Sequence, residues 1–160
     1  MDIRIATAAD LPGLATLFQA AVVQIGPQRY SAAQIQAWAA SQADSDRFQQ
    51  FILGVTTYIA YEGAEILGFA GIRSDGYVAS LYVHPAYARQ GIGSTLMQQV
   101  LEYARRQQIS RLYTEASEFS KGLFAKFEFQ LYDTEVVERV GVQFTRYLME
   151  KTDLPIEAVR

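Results

Sequence analysis

The stretch Ser80–Arg106, SLYVHPAYARQGIGSTLMQQVLEYARR, sets how the rest of the chain is read. An apolar run ends at Pro85, and a short loop leads to Gly91 and Gly93 at the mouth of a helix. That helix, from about Gly91 to Gln107, turns Leu96, Val100, Leu101 and Ala104 inward. A helix N-terminus leaves its first backbone N–H groups unpaired and carries a partial positive charge. Glycines there remove side chains, so a bulky anion can approach the amides. Arg89 adds a cation, and Ser94 and Thr95 add hydroxyls, which makes the segment a candidate pyrophosphate cradle. A tight turn with close packing would use the same glycines, and Gly-x-Gly alone does not separate the two uses.

Spacing excludes two familiar nucleotide sites. A dinucleotide fingerprint needs a small residue where Leu96 stands and a direct strand-to-glycine turn; here His84 to Gln90 intervene. A P-loop needs Gly-Lys-Ser/Thr, whereas Gly93 is followed by Ser94-Thr95.

Working outward, the chain alternates elements without a repeat or a low-complexity linker. Ile3–Ile5 reads as a strand, and Leu11, Leu14, Leu17, Phe18, Ala21, Val22 and Ile25 form one face of a helix. Thr7 and Asp10 are both plausible caps for it, Pro12 suits its first turn, and Gly26-Pro27 ends it. Ser31 to Gln34 is a capping box, with Tyr30 placed to staple onto Ile35, so a second helix runs to about Ala40. QADSD reads as a polar loop. Val55–Tyr61, Ile66–Arg73 and Tyr77–Val83 form an antiparallel meander across two turns. Arg111–Glu115 is a strand, Ser120–Phe127 a short helix, and Glu128–Val140 with Val142–Met149 a hairpin across Gly141. The strand–helix–strand unit from Tyr77 to Glu115 implies a right-handed crossover between parallel strands. The expected fold is α/β: a mixed, mostly antiparallel sheet of about seven strands flanked by about four helices, in one domain over residues 1–160.

Composition narrows the chemistry. Half of the 160 residues are hydrophobic and 19% are charged, a globular balance. The net charge of −3 argues against a nucleic-acid partner. No apolar run is expected to reach the roughly 20 residues that span a bilayer, and the N-terminus reads as no signal peptide. A cytoplasmic location and no membrane partner are therefore expected. With no cysteine there is no thiolate nucleophile or zinc–thiolate site, and the single His84 excludes a two-histidine zinc motif. No metal site is expected.

LYVHPAYARQGIGSTLM, with the meander before it and helix, strand and short helix after it, resembles the GCN5-related N-acetyltransferases (GNAT) across essentially the whole chain. The family's Arg/Gln-x-x-Gly-x-Gly/Ala motif falls on Ala88–Gly93, with Ala88 a departure at its first position. The resemblance implies acetyl-CoA as acetyl donor, its pantetheine arm paired with backbone of Leu81, Tyr82 and Val83 where that strand splays from the next. It places the pyrophosphate on Arg89, Gln90, Gly91, Ile92, Gly93, Ser94 and Thr95. Ser117–Phe129 matches a second family block imperfectly: Ser117 replaces Asn, Ser120 Ala, Leu123-Phe124 Phe-Tyr and Glu128 Gly. Ser117 and Phe124 are thereby candidate CoA contacts, and Phe124 stands where the family often has a tyrosine that protonates the thiolate.

The general base is not assigned by motif. Glu115, near the end of the strand flanking the thioester, is the first candidate, with structural support as its competing role. His84 before Pro85, the Tyr82 phenol and ordered water remain alternatives. Tyr30 and Trp38 would wall the acceptor, with Asp44, Asp46 and Asp75 in loops that could contribute. The expected function is direct acetyl transfer, in a ternary complex, to an amine of a small molecule or peptide. A homodimer is compatible with it. A non-catalytic acyl-CoA-binding module is the alternative, favoured by Phe124 and Ala79.

Overall fold

Period-two and helical patterns alternate along the chain, and the computed structural model, which describes residues 1–155, follows them. A four-stranded antiparallel sheet has the order β1-β2-β3-β4, built from β1 (Asp2–Ile5), β2 (Thr56–Glu62), β3 (Glu65–Ile72) and β4 (Val78–Val83). A three-stranded antiparallel sheet has the order β5-β7-β6, from β5 (Leu112–Ala116), β6 (Gln130–Arg139) and β7 (Val142–Lys151). One isolated parallel bridge, Tyr77 to Tyr113, joins them. The expected seven strands are present, and their mixed character is confined to that bridge.

The helices are α1 (Leu11–Ile25), α2 (Ala32–Ala40), α3 (Ser45–Leu53), α4 (Ile92–Arg106) and α5 (Lys121–Lys126). The described residues thus hold five α-helices rather than about four, and α3 is the addition. Asp44 caps it, its Oδ1 accepting from the Arg47 N–H at 2.9 Å, and Phe48 and Ile52 are buried one turn apart. The polar QADSD segment is therefore the lead-in to a short amphipathic helix.

Of the two caps proposed for α1, Asp10 takes the N-cap position without a side-chain cap bond, and Thr7 lies one turn earlier. A 3-10 turn over Ala8–Asp10 starts at Thr7, whose N–H donates to Asp10 Oδ2 at 2.8 Å, and Asp10 then precedes α1. Arg4 grips the same carboxylate at 2.7 and 2.8 Å, and that hydrogen bonding holds Asp10 at about 2. Residues 8–28 are helical throughout and, by length and composition alone, long and apolar enough to cross a bilayer. This corrects the expectation that no run reaches that length. The apolarity has a use in the core, where Leu14, Leu17, Phe18 and Val22 are buried with Ile59, Phe69, Phe48 and Ile52.

On the opposite face of the first sheet, α4 packs Leu96, Met97, Val100 and Ala104 against both sheets at once, in one cluster with Ala70, Ile72, Leu112 and Met149. Leu96 is fully buried there, so its truncation to alanine costs about 2–5 kcal/mol. The β6–β7 hairpin closes through Val140 and Gly141, with φ of 51° and 74°. Two left-handed residues in a two-residue loop make a type I′ turn.

Candidate active site

At their N-terminal ends β4 and β5 are clamped. The Tyr113 N–H donates to the Gly76 carbonyl at 3.0 Å, and Thr114 Oγ1 donates to the Val78 carbonyl at 2.9 Å. Tyr113 Oη donates to Asp75 at 2.7 Å, and Arg73 closes the other side of that carboxylate. Gly76 is needed for this approach: its φ is 98°, and a Cβ would sit 2.1 Å from the Arg111 carbonyl oxygen.

Past the clamp the strands part, because β5 continues in register with β7, Glu115 opposite Leu148, rather than with β4. The opening is a cleft of about 240 Å³. Leu81, Val83, Glu115, Ser117, Leu123 and Phe124 are among the residues that line it. The His84 N–H donates to the Leu67 carbonyl of the first sheet at 2.8 Å. Backbone direction alternates along a strand, so Tyr82 also faces β3, while Leu81 and Val83 turn their N–H and C=O groups toward the open edge. Tyr82 reaches the cleft by its ring instead. Trp38 Nε1 donates to its hydroxyl at 3.3 Å, and burial pushes that phenol up to about 12.

At the far end, Gly91 is the N-cap of α4 with φ of 81°, and a Cβ on it would meet nothing within 4 Å. The glycine serves a left-handed backbone facing open space. Gly93 serves packing, since a Cβ there would lie 2.9 Å from Leu123 Cδ2 of α5. The turn and the close packing weighed from the sequence are thus present, one at each glycine, and Gly91 leaves the helix mouth open. Ile92 buries its side chain and leaves only backbone at the mouth. Thr95 donates both its N–H and its hydroxyl to the Gly91 carbonyl, at 3.0 and 2.9 Å. Arg89, with φ of 63°, and Gln90 are exposed beside it. Lys126 of α5 brings a second cation that the sequence reading missed, its Nζ donating to Ser94 Oγ at 3.2 Å.

Residues 27–151 match the family described as an acetyltransferase (GNAT) domain. The chain is 31% identical over 140 residues to the uncharacterized N-acetyltransferase YafP of Escherichia coli, covering 88% of each. A crystal structure of a GCN5-related N-acetyltransferase from Rhodopseudomonas palustris superposes with a TM-score of 0.90 at 27% identity, over 94% of both chains. The PaiA N-acetyltransferase of Thermoplasma acidophilum, solved in complex with coenzyme A, shares the fold at a TM-score of 0.74 and 19% identity, over 95% of this chain and 99% of its own. The chain belongs to the GNAT family of acetyltransferases.

Set on this GNAT frame, the departures from the second family block have local explanations. Ser117 Oγ accepts from the N–H groups of Phe119 and Ser120, at 3.2 and 3.1 Å, so it shapes the entry to α5. Phe124 lines the cleft but is 2% exposed, its ring against Phe129 at 5.0 Å. Glu128 holds φ of 68°, a left-handed position that suits the glycine it replaces.

Glu115 lies half-buried at the wall between the first cleft and a second of about 200 Å³. Its carboxylate is 4.0 Å from Arg146 Nη2, and Tyr77 is its neighbour: burial first, and then Glu115, raises the Tyr77 phenol above its ordinary range. His84 instead caps a turn, Nδ1 accepting from the Ala86 N–H at 3.1 Å, and lines neither cleft. Asp44, Asp46 and Asp75 line neither cleft as well.

Tyr30 sits at the centre of an aromatic cluster. Its ring meets Trp38, Phe119 and Phe144 at 5.4, 5.5 and 5.8 Å, and its hydroxyl accepts from the Glu118 N–H at 3.0 Å. Phe119, Phe144, Arg139 and Arg146 escaped the sequence reading because nothing local marks them. They come from α5's entry and from the hairpin, and meet α2 only in the folded chain.

Proposed function

We propose that this GNAT domain binds acetyl-CoA along the open edge of β4 and transfers the acetyl group directly to an amine of a small molecule or peptide. The observation that carries the reading is the parting of β4 from β5. It leaves a cleft from Glu115, along the backbone of Leu81 and Val83, toward the glycine mouth of α4. The residues fit such a donor. Leu81 and Val83 offer unpaired strand groups to the pantetheine amides, as a strand edge does for an added strand. Open space before Gly91, the helix-mouth amides, Arg89 and Lys126 suit a pyrophosphate.

Acetyl-CoA supplies a thioester whose thiolate is a tolerable leaving group, since thiol pKa is about 8.5. Glu115, at the junction of the two clefts, is placed to take the proton the attacking amine loses. A backbone N–H on the open β4 edge polarises the carbonyl. Without cysteine the chain offers no thiol to carry an acyl group, so both substrates are held together. Phe124 has no hydroxyl to give the departing thiolate, which water or another hydroxyl protonates.

The test is an amine panel read by free-thiol release and product mass, with both substrates varied. Turnover with intersecting double-reciprocal plots supports the proposal. Saturable acetyl-CoA binding without turnover on any amine replaces it with the non-catalytic module that Phe124 would suit.

A further inference from the structure

The second cleft meets the first at Trp38, Tyr82, Glu115 and Ser117, which line both. Whatever amine reaches Glu115 therefore keeps the rest of its body in the second cleft. At about 200 Å³ that space is below the roughly 300–1,000 Å³ of a drug-sized pocket, enough for a compact body of about one ring. Tyr30, Trp38 and Phe144 supply flat apolar walls, with the Tyr30 ring edge-on to each of the other two.

The charges in this wall are unequal. Glu115 is the one carboxylate lining the second cleft among the described residues, against two guanidinium groups, Arg139 and Arg146. Arg146 is already engaged: Glu135 accepts from its Nε at 2.8 Å and also from Nη2, and Glu115 lies 4.0 Å away. Arg139 is different. Its side-chain hydrogen bond goes to the Glu138 carbonyl at 3.3 Å, and it has no carboxylate partner among the described residues.

The two poles stand apart. Glu115 is opposite Leu148 and Arg139 is opposite Val142, so they stand six positions apart along β7, roughly 20 Å of strand before the side chains reach inward. The pairs Val137–Phe144 and Glu135–Arg146 lie between on the same face, because side chains alternate and directly opposed residues share a side. An acceptor that fills the cleft has its amine at Glu115, its body on the rings and its far end at Arg139.

We infer that the acceptor is a small amphoteric amine: an amine at one end, a carboxylate or similar anion at the other, and a flat apolar body between. This rests on the acetyltransferase reading above and adds the substrate class to it. A polyamine of the same length would bring a second ammonium to Arg139, where like charges repel and nothing compensates.

Three matched acceptors test this with acetyl-CoA: 4-(2-aminoethyl)benzoate, its methyl ester, and the diamine 4-(2-aminoethyl)benzylamine. The acid should have a kcat/KM roughly ten- to a hundredfold above the ester, the worth of a charge-assisted contact, and the diamine should be poorest. Arg139→Glu should invert the order, placing the diamine above the acid, an outcome that mere structural damage does not produce. Arg139→Gln, should the reversal fail to fold, should bring acid and ester within about threefold of each other. Equal rates on all three acceptors, or an order that neither variant changes while acetyl-CoA still binds, would overturn the inference and leave acetyl transfer standing. No turnover on these acceptors, on spermidine or on a peptide amine would instead remove the acetyltransferase reading, and the inference with it.

Discussion

Replacing Gly91 by glutamine and by glutamate separates backbone strain from phosphate recognition. Both side chains enter the same left-handed position, φ 81°, which costs a non-glycine residue about 1–2 kcal/mol. Both meet open space, since a Cβ there has no neighbour within 4 Å, so neither adds a clash. The variants are near-isosteric and differ by one charge. If the helix mouth holds the pyrophosphate, the glutamate lies within several ångströms of two negative charges. At an effective dielectric constant between those of protein surface and bulk water, the repulsion is on the order of 1–3 kcal/mol, roughly a five- to 150-fold loss of affinity. The measurements are calorimetric Kd values for acetyl-CoA and unfolding curves without ligand. The two unliganded proteins should unfold at similar denaturant concentrations, both below wild type. Their Kd values should diverge, and the gap should shrink as salt rises. Equal Kd values in proteins of equal stability would refute the cradle and move the phosphates elsewhere.

Glu115→Gln keeps shape and removes the proposed base; kcat/KM should fall by roughly 10²–10⁴-fold and the acidic limb of its pH profile should flatten, with acetyl-CoA affinity nearly unchanged. Near-normal turnover would assign proton removal to water. Val140→Asn should raise stability to denaturant by on the order of 1 kcal/mol, because a β-branched residue 67% exposed at φ 51° is replaced by one that tolerates that conformation; no gain would mean the turn relaxes. Arg4→Met should lower Tm near neutral pH, the ion pair being worth about 1 kcal/mol after solvent screening. Asp10 has its folded pKa depressed from 3.8 to about 2, so its contribution is complete above about pH 4 and is lost as pH falls toward 2. The Tm gap between wild type and variant should close over that window, and a gap constant with pH would deny the linkage.

How much was legible in advance depended on whether the signal was local. The capping box at Ser31–Gln34, the meander turns and the glycines before α4 are short-range devices, and each formed where it was read. The helix α3 is local too, with Asp44 as cap and Phe48, Phe51 and Ile52 at helical spacing, but nine residues of low mean hydropathy hid it beside a polar loop. Other features arise only when distant segments meet. Lys126 reaches Ser94 across 32 positions, and Tyr30 reaches the Glu118 N–H across 88. The alternation that turns Leu81 and Val83 outward and Tyr82 inward depends on register with β3, which no residue type in LYV announces.

The shape of the cleft has a cause that lies outside the residues assigned to chemistry. At its closed end the strands are drawn together by Gly76, Asp75 and Tyr113, where a single Cβ would collide with the Arg111 carbonyl. At its open end, Tyr30 wedges among Trp38, Phe119 and Phe144 and binds the backbone at Glu118, which keeps the entry to α5 away from β4. Across the back, α4 packs one face against both sheets, so neither can swing without exposing Leu96, Val100 and Leu112 to water. A clamp, a wedge and a shared core thus set the opening between β4 and β5. Of the residues that depart from the family's second block, Phe124 keeps an aromatic ring in the shared core, and Ser117 keeps a hydrogen-bonding side chain at the entry to α5, where it accepts from the Phe119 and Ser120 N–H groups. The chain can therefore depart from the family pattern at Ser117 and Phe124 while keeping the opening on which the proposed donor site along β4 depends.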